Sequence, residues 1–302
     1  MFNNFLIKKL KQFVAKPSYE LVIRDLIRVR DIDLSGKVLT TDRFTEHLST
    51  DLIEPVFNSE KLLVIAPHQD DETIGAGGTL IKAANDGAEI ACIYLTDGGT
   101  ASDEIPEGEM SQIREKEARN VWEEIGGEPI FFGFPDGGLP LSKEASVILA
   151  EQINKRKPDK LFIPFLLDNH PDHRRANHLF WLSKDDINNN DVEVWAYQVW
   201  SGLIPNIAVD ISDVMDRKNQ INSMWISQNK LRDFVHLSKG MSAHNSKYIQ
   251  TNKPIYCEIF FVVPIGEYFK LCEIYFDRDP IELYSDHELW IKRTNFSKMP
   301  TQ

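Results

Sequence analysis

Residues 61–95 read KLLVIAPHQDDETIGAGGTLIKAANDGAEIACIYL, and their pattern decides the expected fold. A short apolar run at 62–66 is followed by an amphipathic stretch at 73–86 and by a second apolar run at 90–95. Short apolar runs are typical of buried strands, and the stretch between them has the length of a helix. The segment therefore predicts a strand, a covering helix and a second, parallel strand.

The same alternation continues along the chain. Further helices are expected at 109–125, 142–156 and 212–237, and further strands at 129–132, 161–166, 192–200 and 255–263. Gly126 is expected to end the first of these helices, and Ser142 is expected to be the N-cap of the second. The predicted fold class is α/β, with a Rossmann-like, mostly parallel sheet that is covered by helices on both faces.

The composition excludes some partners. The 302 residues are 42% hydrophobic, which is enough to bury a substantial core. The formal charge of −12 repels phosphate backbones, so no nucleic-acid partner is expected. Cys92, Cys257 and Cys272 are widely spaced and lack the CxxC pattern, which indicates buried free thiols instead of disulfides or a cysteine zinc site.

Residues 1–57 are expected to form an extension that packs on a main domain at 58–302. The first 16 residues, MFNNFLIKKLKQFVAK, have the spacing of an amphipathic helix. Such a helix can lie on an anionic membrane surface or on a partner protein, but packing on its own domain is the favoured interpretation. No segment approaches the roughly 20 apolar residues that span a bilayer, so cytoplasmic residence is expected. Homo-oligomerisation is left open.

A polar cluster follows the first predicted strand. His68, Gln69, Asp70, Asp71 and Glu72 occupy one turn that leads into the helix. Like charges packed at a strand end cost stability, so a bound cation is one explanation of the cluster. The other is a helix N-terminus, where Asp and Glu are favoured without any ligand.

A second polar cluster follows the strand predicted at 161–166. Asp168, His170, Asp172 and His173 lie within six residues, before a helix that is expected to begin near Asp172. Ligands of open α/β sheets bind beyond the carboxyl ends of the strands, which is where both clusters are placed. Two such clusters favour a metal site over two unrelated solvated turns.

The candidate metal ligands are His68, Asp71 and His173. His68 and Asp71 are three residues apart and can face one point from a helical turn, while His173 can approach from the second loop. Two imidazoles and one carboxylate leave coordination positions open, as a catalytic metal requires. The ligand set favours Zn²⁺ and also suits Fe²⁺.

Two neighbouring residues are candidates for acid–base chemistry. Asp70 diverges from Asp71 on the turn and is the candidate general base for an attacking water. His170, protonated and held by Asp172, is the candidate for stabilising an oxyanion, and either His170 or Asp70 protonates the leaving amine. The alternative for His170 is a hydrogen bond at the helix entry. The predicted chemistry is metal-assisted hydrolysis.

The two clusters, APHQDDE at 66–72 and HPDHR at 170–174, closely resemble the hallmarks of the PIG-L/LmbE-like N-acetylglucosaminyl deacetylase family. Other family-like segments are TDGG at 96–99, IREKEAR at 113–119, GFPDGGL at 133–139 and DISDVMDRK at 210–218. At the position where the family has a proline, this chain has Gln69. Either the amide of Gln69 forms a hydrogen bond with the substrate, or the loss of the fixed φ of proline leaves the turn more mobile.

The resemblance implies that residues 58–302 form a deacetylase domain with the zinc ligands, base and oxyanion residues named above. It also implies that Arg114 and Asp136 bind sugar hydroxyls. From the residues alone, Arg114 can equally pair with Glu115 or Glu117 on its helix, and Asp136 can simply form a turn.

The expected function is removal of the acetyl group from an N-acetylglucosamine-type sugar conjugate, a small-molecule partner. Within the family resemblance, the alternative is an amidase for a larger acyl group or a thiol-conjugate amide. From other classes, a non-catalytic binding protein would need a lost base or acid, and a nucleotide-binding module would use the GAGG sequence at 75–78. Core packing is expected for Trp195, Trp200 and Trp225, although one of them can stack on a sugar.

Overall fold

The apolar run at 62–66 lies within strand β2 (Lys61–Ala66), near the middle of a sheet to which the described residues contribute eight strands. The computed structural model describes residues 51–53, 55–102, 104–249 and 251–277. Leu63 and Ile65 contribute to one hydrophobic cluster, and Leu62 and Val64 to another, because successive side chains of a strand point to opposite faces. The continuous apolar run is explained by burial on both faces.

The sheet is mostly parallel, as predicted. Its other strands are β1 (Asp51–Ile53), β3 (Glu89–Thr96), β4 (Glu128–Phe134), β5 (Lys160–Pro164), β6 (Glu193–Tyr197), β7 (Ile207–Asp210) and β8 (Cys257–Pro264). The strand order is β1-β7-β8-β6-β5-β2-β3-β4. Neighbouring strands are parallel except at β8, which runs antiparallel to β6 and β7.

Helices cover both faces of the sheet, which confirms the predicted fold class. They are α1 (Asp71–Asn85), α2 (Glu107–Ile125), α3 (Lys143–Arg156), α4 (Pro171–Leu182), α5 (Met215–Ser223), α6 (Ile226–Asn229), α7 (Phe234–Asn245) and α8 (Ile265–Phe276). Residues of α3, α4 and α8 belong to one hydrophobic cluster, and residues of α1, α2, α5 and α7 belong to the other.

Two predicted helix ends are confirmed. Gly126 follows α2 with a φ of 94°, a conformation that a glycine adopts without steric cost. Ser142 is the N-cap of α3, and its side chain accepts a hydrogen bond from the backbone N–H of Ala145.

The helical stretch predicted at 212–237 is divided into α5, α6 and the start of α7. The break lies at Trp225, which is fully buried and donates a 2.7 Å hydrogen bond from Nε1 to Oγ1 of Thr73. Asn229 then accepts from the backbone N–H of Phe234, at the start of the next helix. The prediction of one helix was wrong because tertiary contacts of these side chains outweigh the helical pattern. The pattern also missed β7, which has only four residues.

The glycines at 75–78 lie inside α1 and do not form a phosphate-binding loop. A side chain at Gly75 would come within 2.5 Å of the backbone oxygen of Gln198, and one at Gly78 within 2.7 Å of Ile211. These glycines therefore allow close packing of the helix on the sheet, and this removes the sequence argument for a nucleotide-binding module.

Residues 1–50 and 278–302 lie outside the described residues, and with them the predicted amphipathic helix. Of the predicted extension, β1 pairs in parallel with β7, and Phe57 is buried in the core. The boundary at residue 57 remains a prediction. Within the described part of the chain, no helix has the length and apolar character of a membrane span. The three cysteines are free and buried, as expected.

A buried ion pair that the sequence did not predict joins α1, α5 and β8. The carboxylate of Glu258 lies 2.8 Å from Nζ of Lys218 and accepts hydrogen bonds from the backbone N–H groups of Gly78 and Thr79. Nζ of Lys218 also donates to the backbone oxygen of Ile74. Both charges are removed from water and hydrogen-bonded, so the loss of either one leaves the other buried without a counter-ion.

We therefore expect Glu258→Gln to lower the free energy of unfolding by about 3–5 kcal/mol, because it leaves the Lys218 ammonium buried without its counter-ion. Asp213→Asn is the matched control, since it breaks the pair of an exposed carboxylate with Lys82 and should cost about 1 kcal/mol or less. Urea unfolding of both variants measures the difference. Equal, small losses would contradict the structural role of Glu258.

Candidate metal centre

The two polar clusters meet, as predicted, at one edge of the sheet. They follow β2 and β5, which are neighbouring parallel strands, and they lead into α1 and α4. The carboxyl ends of adjacent parallel strands lie side by side, so the two loops face a common point beyond the sheet.

The three predicted metal ligands lie around the carboxylate of Asp71. Its Oδ2 is 3.1 Å from Nδ1 of His68 and 3.2 Å from Nε2 of His173. Donor atoms about 2.0–2.1 Å from a tetrahedral zinc ion are themselves about 3.3 Å apart, so each histidine lies at a distance from Asp71 that suits two ligands of one ion. The imidazole of His170 also faces this region, and one ring nitrogen from each of the three histidines lies within 4.8 Å of the others.

The charges around the imidazoles favour a bound cation. Burial acts to lower the pKa of His68, but the carboxylates around it, led by Asp136, raise this pKa well above its usual value. Burial also acts to lower the pKa of His173, while Asp71 and Asp168 raise it to about 9. The carboxylates thus stabilise positive charge at both rings. A divalent ion that took the place of the two protons would supply that charge.

The ring of His173 is a second observation that these residues suit a bound metal ion. It is fully buried, and neither ring nitrogen has a hydrogen bond of good geometry, although each lies 3.2 Å from a carboxylate oxygen. A buried imidazole without a hydrogen bond is costly. Nε2 is free to direct its lone pair at an ion shared with Asp71, so the donor set fits a metal.

The structure places Asp136, a predicted sugar ligand, against the imidazole of His68. Oδ1 of Asp136 is 3.1 Å from Nε2 of His68, and Oδ2 accepts hydrogen bonds from the backbone N–H and the hydroxyl of Thr100. Histidine ligands of metals commonly donate their second ring nitrogen to a carboxylate in this way. Asp136 therefore belongs to the site, but its observed contacts orient His68.

The predicted contact between the Asp172 carboxylate and His170 is absent. Oδ2 of Asp172 lies 3.3 Å from Nε2 of His68 and accepts from the backbone N–H of Gly137. Instead of the carboxylate, the backbone N–H of Asp172 donates to Nδ1 of His170. This is the helix-entry hydrogen bond that the sequence left as the alternative, because His170 is the N-cap of α4.

The expected protonation of His170 is also contradicted. Burial, together with the charges of His68 and His173, lowers the pKa of His170 to about 3. The ring is therefore neutral near pH 7. Because Nδ1 accepts a hydrogen bond, Nε2 is the nitrogen that carries the proton. A neutral ring can still donate a hydrogen bond to an oxyanion.

Asp70 diverges from Asp71, as predicted, and pairs with Arg114. Nη2 of Arg114 donates to Oδ1 of Asp70 at 3.2 Å and to the backbone oxygen of Gln69 at 2.5 Å. Arg114 is only 3% exposed, so the predicted sugar ligand is observed as a buried partner of the candidate base. Its helix neighbour Glu117 instead accepts hydrogen bonds from Ser227.

Gln69 has a role that the sequence did not suggest. Its side chain is buried, and Nε2 donates a 3.0 Å hydrogen bond to the backbone oxygen of Thr96 at the end of β3. The amide therefore anchors the loop to the neighbouring strand.

Asp168 also has a role that the sequence did not suggest. Its Oδ1 lies 3.2 Å from Nδ1 of His173 and accepts from the backbone N–H of His170. Its Oδ2 accepts from the backbone N–H of Trp200 at 2.9 Å. One buried carboxylate therefore holds a candidate metal ligand and the loop after β6. The available signal was its place in the second polar cluster, directly after a buried strand.

The expected core packing is confirmed for two of the three tryptophans. Trp195 and Trp225 are buried, but Trp200 is 41% exposed. Its backbone N–H is bonded to Asp168, and its ring contacts Phe234 edge-on at 6.0 Å between centroids. The prediction was wrong for Trp200 because it lies beyond the end of β6, where the chain leaves the core.

A family model matches the chain over the region that carries both polar clusters, and a known deacetylase is similar in sequence. A model of the PIG-L family, described as GlcNAc-PI de-N-acetylase, matches residues 63–182. The diacetylchitobiose deacetylase of Thermococcus kodakarensis is 32% identical over 183 residues, a match that covers 55% of this chain and 68% of that relative.

Solved structures share the fold. The N,N'-diacetylchitobiose deacetylase from Pyrococcus horikoshii has a TM-score of 0.62 at 26% identity, and the match covers 78% of this chain and 93% of that one. The conserved protein TT1542 from Thermus thermophilus has a TM-score of 0.57 at 28% identity, with 67% and 93% covered. The sequence matches, the shared fold and the meeting of both hallmark clusters lead to one conclusion: this chain belongs to the PIG-L/LmbE-like deacetylase family.

Proposed function

We propose that this protein is a metal-dependent N-deacetylase that removes the acetyl group from an N-acetylglucosamine-type sugar conjugate. The observation that carries the proposal is the carboxylate of Asp71 between His68 and His173, with Asp70 beside it. Two relatives that are diacetylchitobiose deacetylases support a small N-acetylated sugar as the substrate class.

We propose His68, Asp71 and His173 as the metal ligands. Two imidazoles and a carboxylate suit Zn²⁺ first and Fe²⁺ second. When bound, the ion would acidify a water molecule and polarise the amide carbonyl.

Asp70 is the proposed base. Burial raises the pKa of Asp70 to about 7, although the guanidinium of Arg114 acts to lower it. A carboxyl group that titrates near neutral pH can both accept and return a proton. Asp70 takes the proton of the attacking water as the water oxygen bonds to the acyl carbon. It then gives that proton to the nitrogen as the C–N bond breaks, which releases acetate and the free amine.

His170 is proposed to stabilise the oxyanion as a neutral hydrogen-bond donor. Its Nδ1 is occupied by the backbone N–H of Asp172, so Nε2–H is available to a substrate oxygen. A donor that is fixed before the reaction needs no reorganisation as negative charge develops on that oxygen.

The test is acetate release from N,N'-diacetylchitobiose and N-acetylglucosamine, with N-butyrylglucosamine as the larger acyl substrate. We expect acetate and an equal amount of new amine from an acetylated sugar, loss of activity after metal chelation and recovery on adding Zn²⁺. Cleavage of the butyryl amide alone would favour the amidase alternative. The proposal is wrong if no amine forms from any of the three, or if chelation leaves the rate unchanged.

A further inference from the structure

The backbone of Asp70 is strained. Its φ of 141° and ψ of −27° lie outside the regions that residues with a side chain usually adopt, including the left-handed helical region. Such a conformation is energetically unfavourable and persists only where the surroundings hold it in place. Because the strained residue is the proposed base, the contacts that hold it are part of how the site works.

The backbone carbonyl of Asp70 is fixed by the first turn of α1. The backbone oxygen of Asp70 accepts hydrogen bonds from the backbone N–H groups of Thr73 and Ile74 and from the hydroxyl of Thr73. These contacts fix where the helix begins. They do not contact the Asp70 carboxylate, whose direction therefore depends on another group.

Arg114 contacts both parts of the strained turn. One nitrogen, Nη2, donates to the backbone oxygen of Gln69, directly before Asp70, and to the Asp70 carboxylate. Arg114 is buried on α2, a different element from the turn. Its contacts therefore fix the turn independently of the backbone hydrogen bonds at the start of α1. A guanidinium has a fixed planar geometry and loses little entropy for each bond that it forms.

Arg114 packs closely against Gly98, and this packing helps to keep it in position. Gly98 lies against its side chain, and a Cβ there would come within 2.8 Å of Cδ of Arg114 and 2.4 Å of Oε1 of Gln69. Gly98 also has a φ of 65°, which favours glycine. The side chains of Gln69 and Arg114 thus fill the volume that a larger residue at 98 would need.

We infer that Arg114 is a positioning residue that fixes the strained turn and aims the Asp70 carboxylate at the attacking water. The inference rests on the proposed function, because it takes Asp70 as the base. It differs from the role in sugar binding that the family resemblance implied, and the two roles affect different kinetic constants. Misplacement of a base lowers kcat, whereas loss of a uniform sugar contact raises KM.

The experiment compares Arg114→Lys with the wild-type enzyme on the same acetylated sugar. Lysine keeps the charge, but its side chain ends one bond short of the Nη2 position, so its ammonium cannot reach both acceptors with the geometry of the guanidinium. We expect kcat to fall by about 10–100-fold, while KM stays within about twofold. Metal content should equal that of the wild type, which shows that the centre remains folded.

Arg119→Lys is the matched control, because Arg119 lies on the same helix and pairs with Glu115 in solvent. It should leave both constants unchanged. A rise in KM at unchanged kcat for Arg114→Lys would overturn the inference and restore a sugar-binding role. A wild-type enzyme that releases no amine from any N-acetyl sugar would instead overturn the proposed function, so the two failures are distinguishable.

Discussion

Asp70→Asn is expected to lower kcat for deacetylation by about 10²–10⁴-fold, the usual contribution of a positioned general base. Asparagine has the shape of aspartate, and its Oδ1 can still accept the hydrogen bond that Arg114 donates. It cannot take a proton from water. Metal content should remain that of the wild-type protein, because the proposed ligands are untouched. Acetate release and metal analysis on the same sample measure both quantities.

Asp210→Asn is the matched control for this variant. Asp210 ends β7 and accepts hydrogen bonds from Ser212, which lies outside the metal centre. We expect near wild-type kcat from it. If Asp70→Asn keeps most of the wild-type rate, Asp70 is not the base. If it loses the metal as well, Asp70 acts as a ligand and the separation of roles between Asp70 and Asp71 is wrong.

His173→Ala is expected to remove the metal, from about one ion per chain to almost none, because a site with three protein ligands loses an imidazole. The change also leaves Asp168 and Asp71 without the ring that lies between them. Activity should fall with the metal. Elemental analysis after dialysis against trace zinc measures the retained ion.

His178→Gln provides the control on the same helix. His178 is also buried, but it stacks on Phe276 at 4.7 Å between ring centroids, and burial lowers its pKa to about 4. It should keep the full metal content. Equal metal loss in both variants would indicate general damage to α4 and would remove the support for His173 as a ligand.

The sequence predicted the features of the fold and of the site that follow from strand direction and from the spacing of apolar residues along the chain. Apolar runs such as 62–66 predict buried strands, and neighbouring parallel strands bring their carboxyl ends together. The approach of His173 to His68 follows from that rule, since both lie in the loop or the first helical turn that follows such a strand. The separation of Asp70 from Asp71 follows from the geometry of one turn. The separation of Asp70 from Asp71 needed no long-range information, whereas the pairing of β2 with β5 is a tertiary contact that the apolar pattern does not predict.

The features that the sequence did not predict depend on the direction in which buried side chains point. The carboxylate of Asp172 faces His68 and not His170, and nothing in the spacing of residues 170–173 distinguishes the two. The bond from Arg114 to Asp70 joins residues 44 apart in the chain. The pair of Lys218 with Glu258 likewise depends on the packing of distant elements. Periodicity carries no signal for such contacts, because they are set by tertiary packing.

We propose that one ion binds between His68, Asp71 and His173. Anomalous diffraction at the zinc edge, from crystals of the zinc-loaded protein, locates that ion. We expect one strong peak about 2.0–2.2 Å from Nδ1 of His68, Oδ2 of Asp71 and Nε2 of His173. A peak bound elsewhere, or no peak in protein that is fully active, would contradict it.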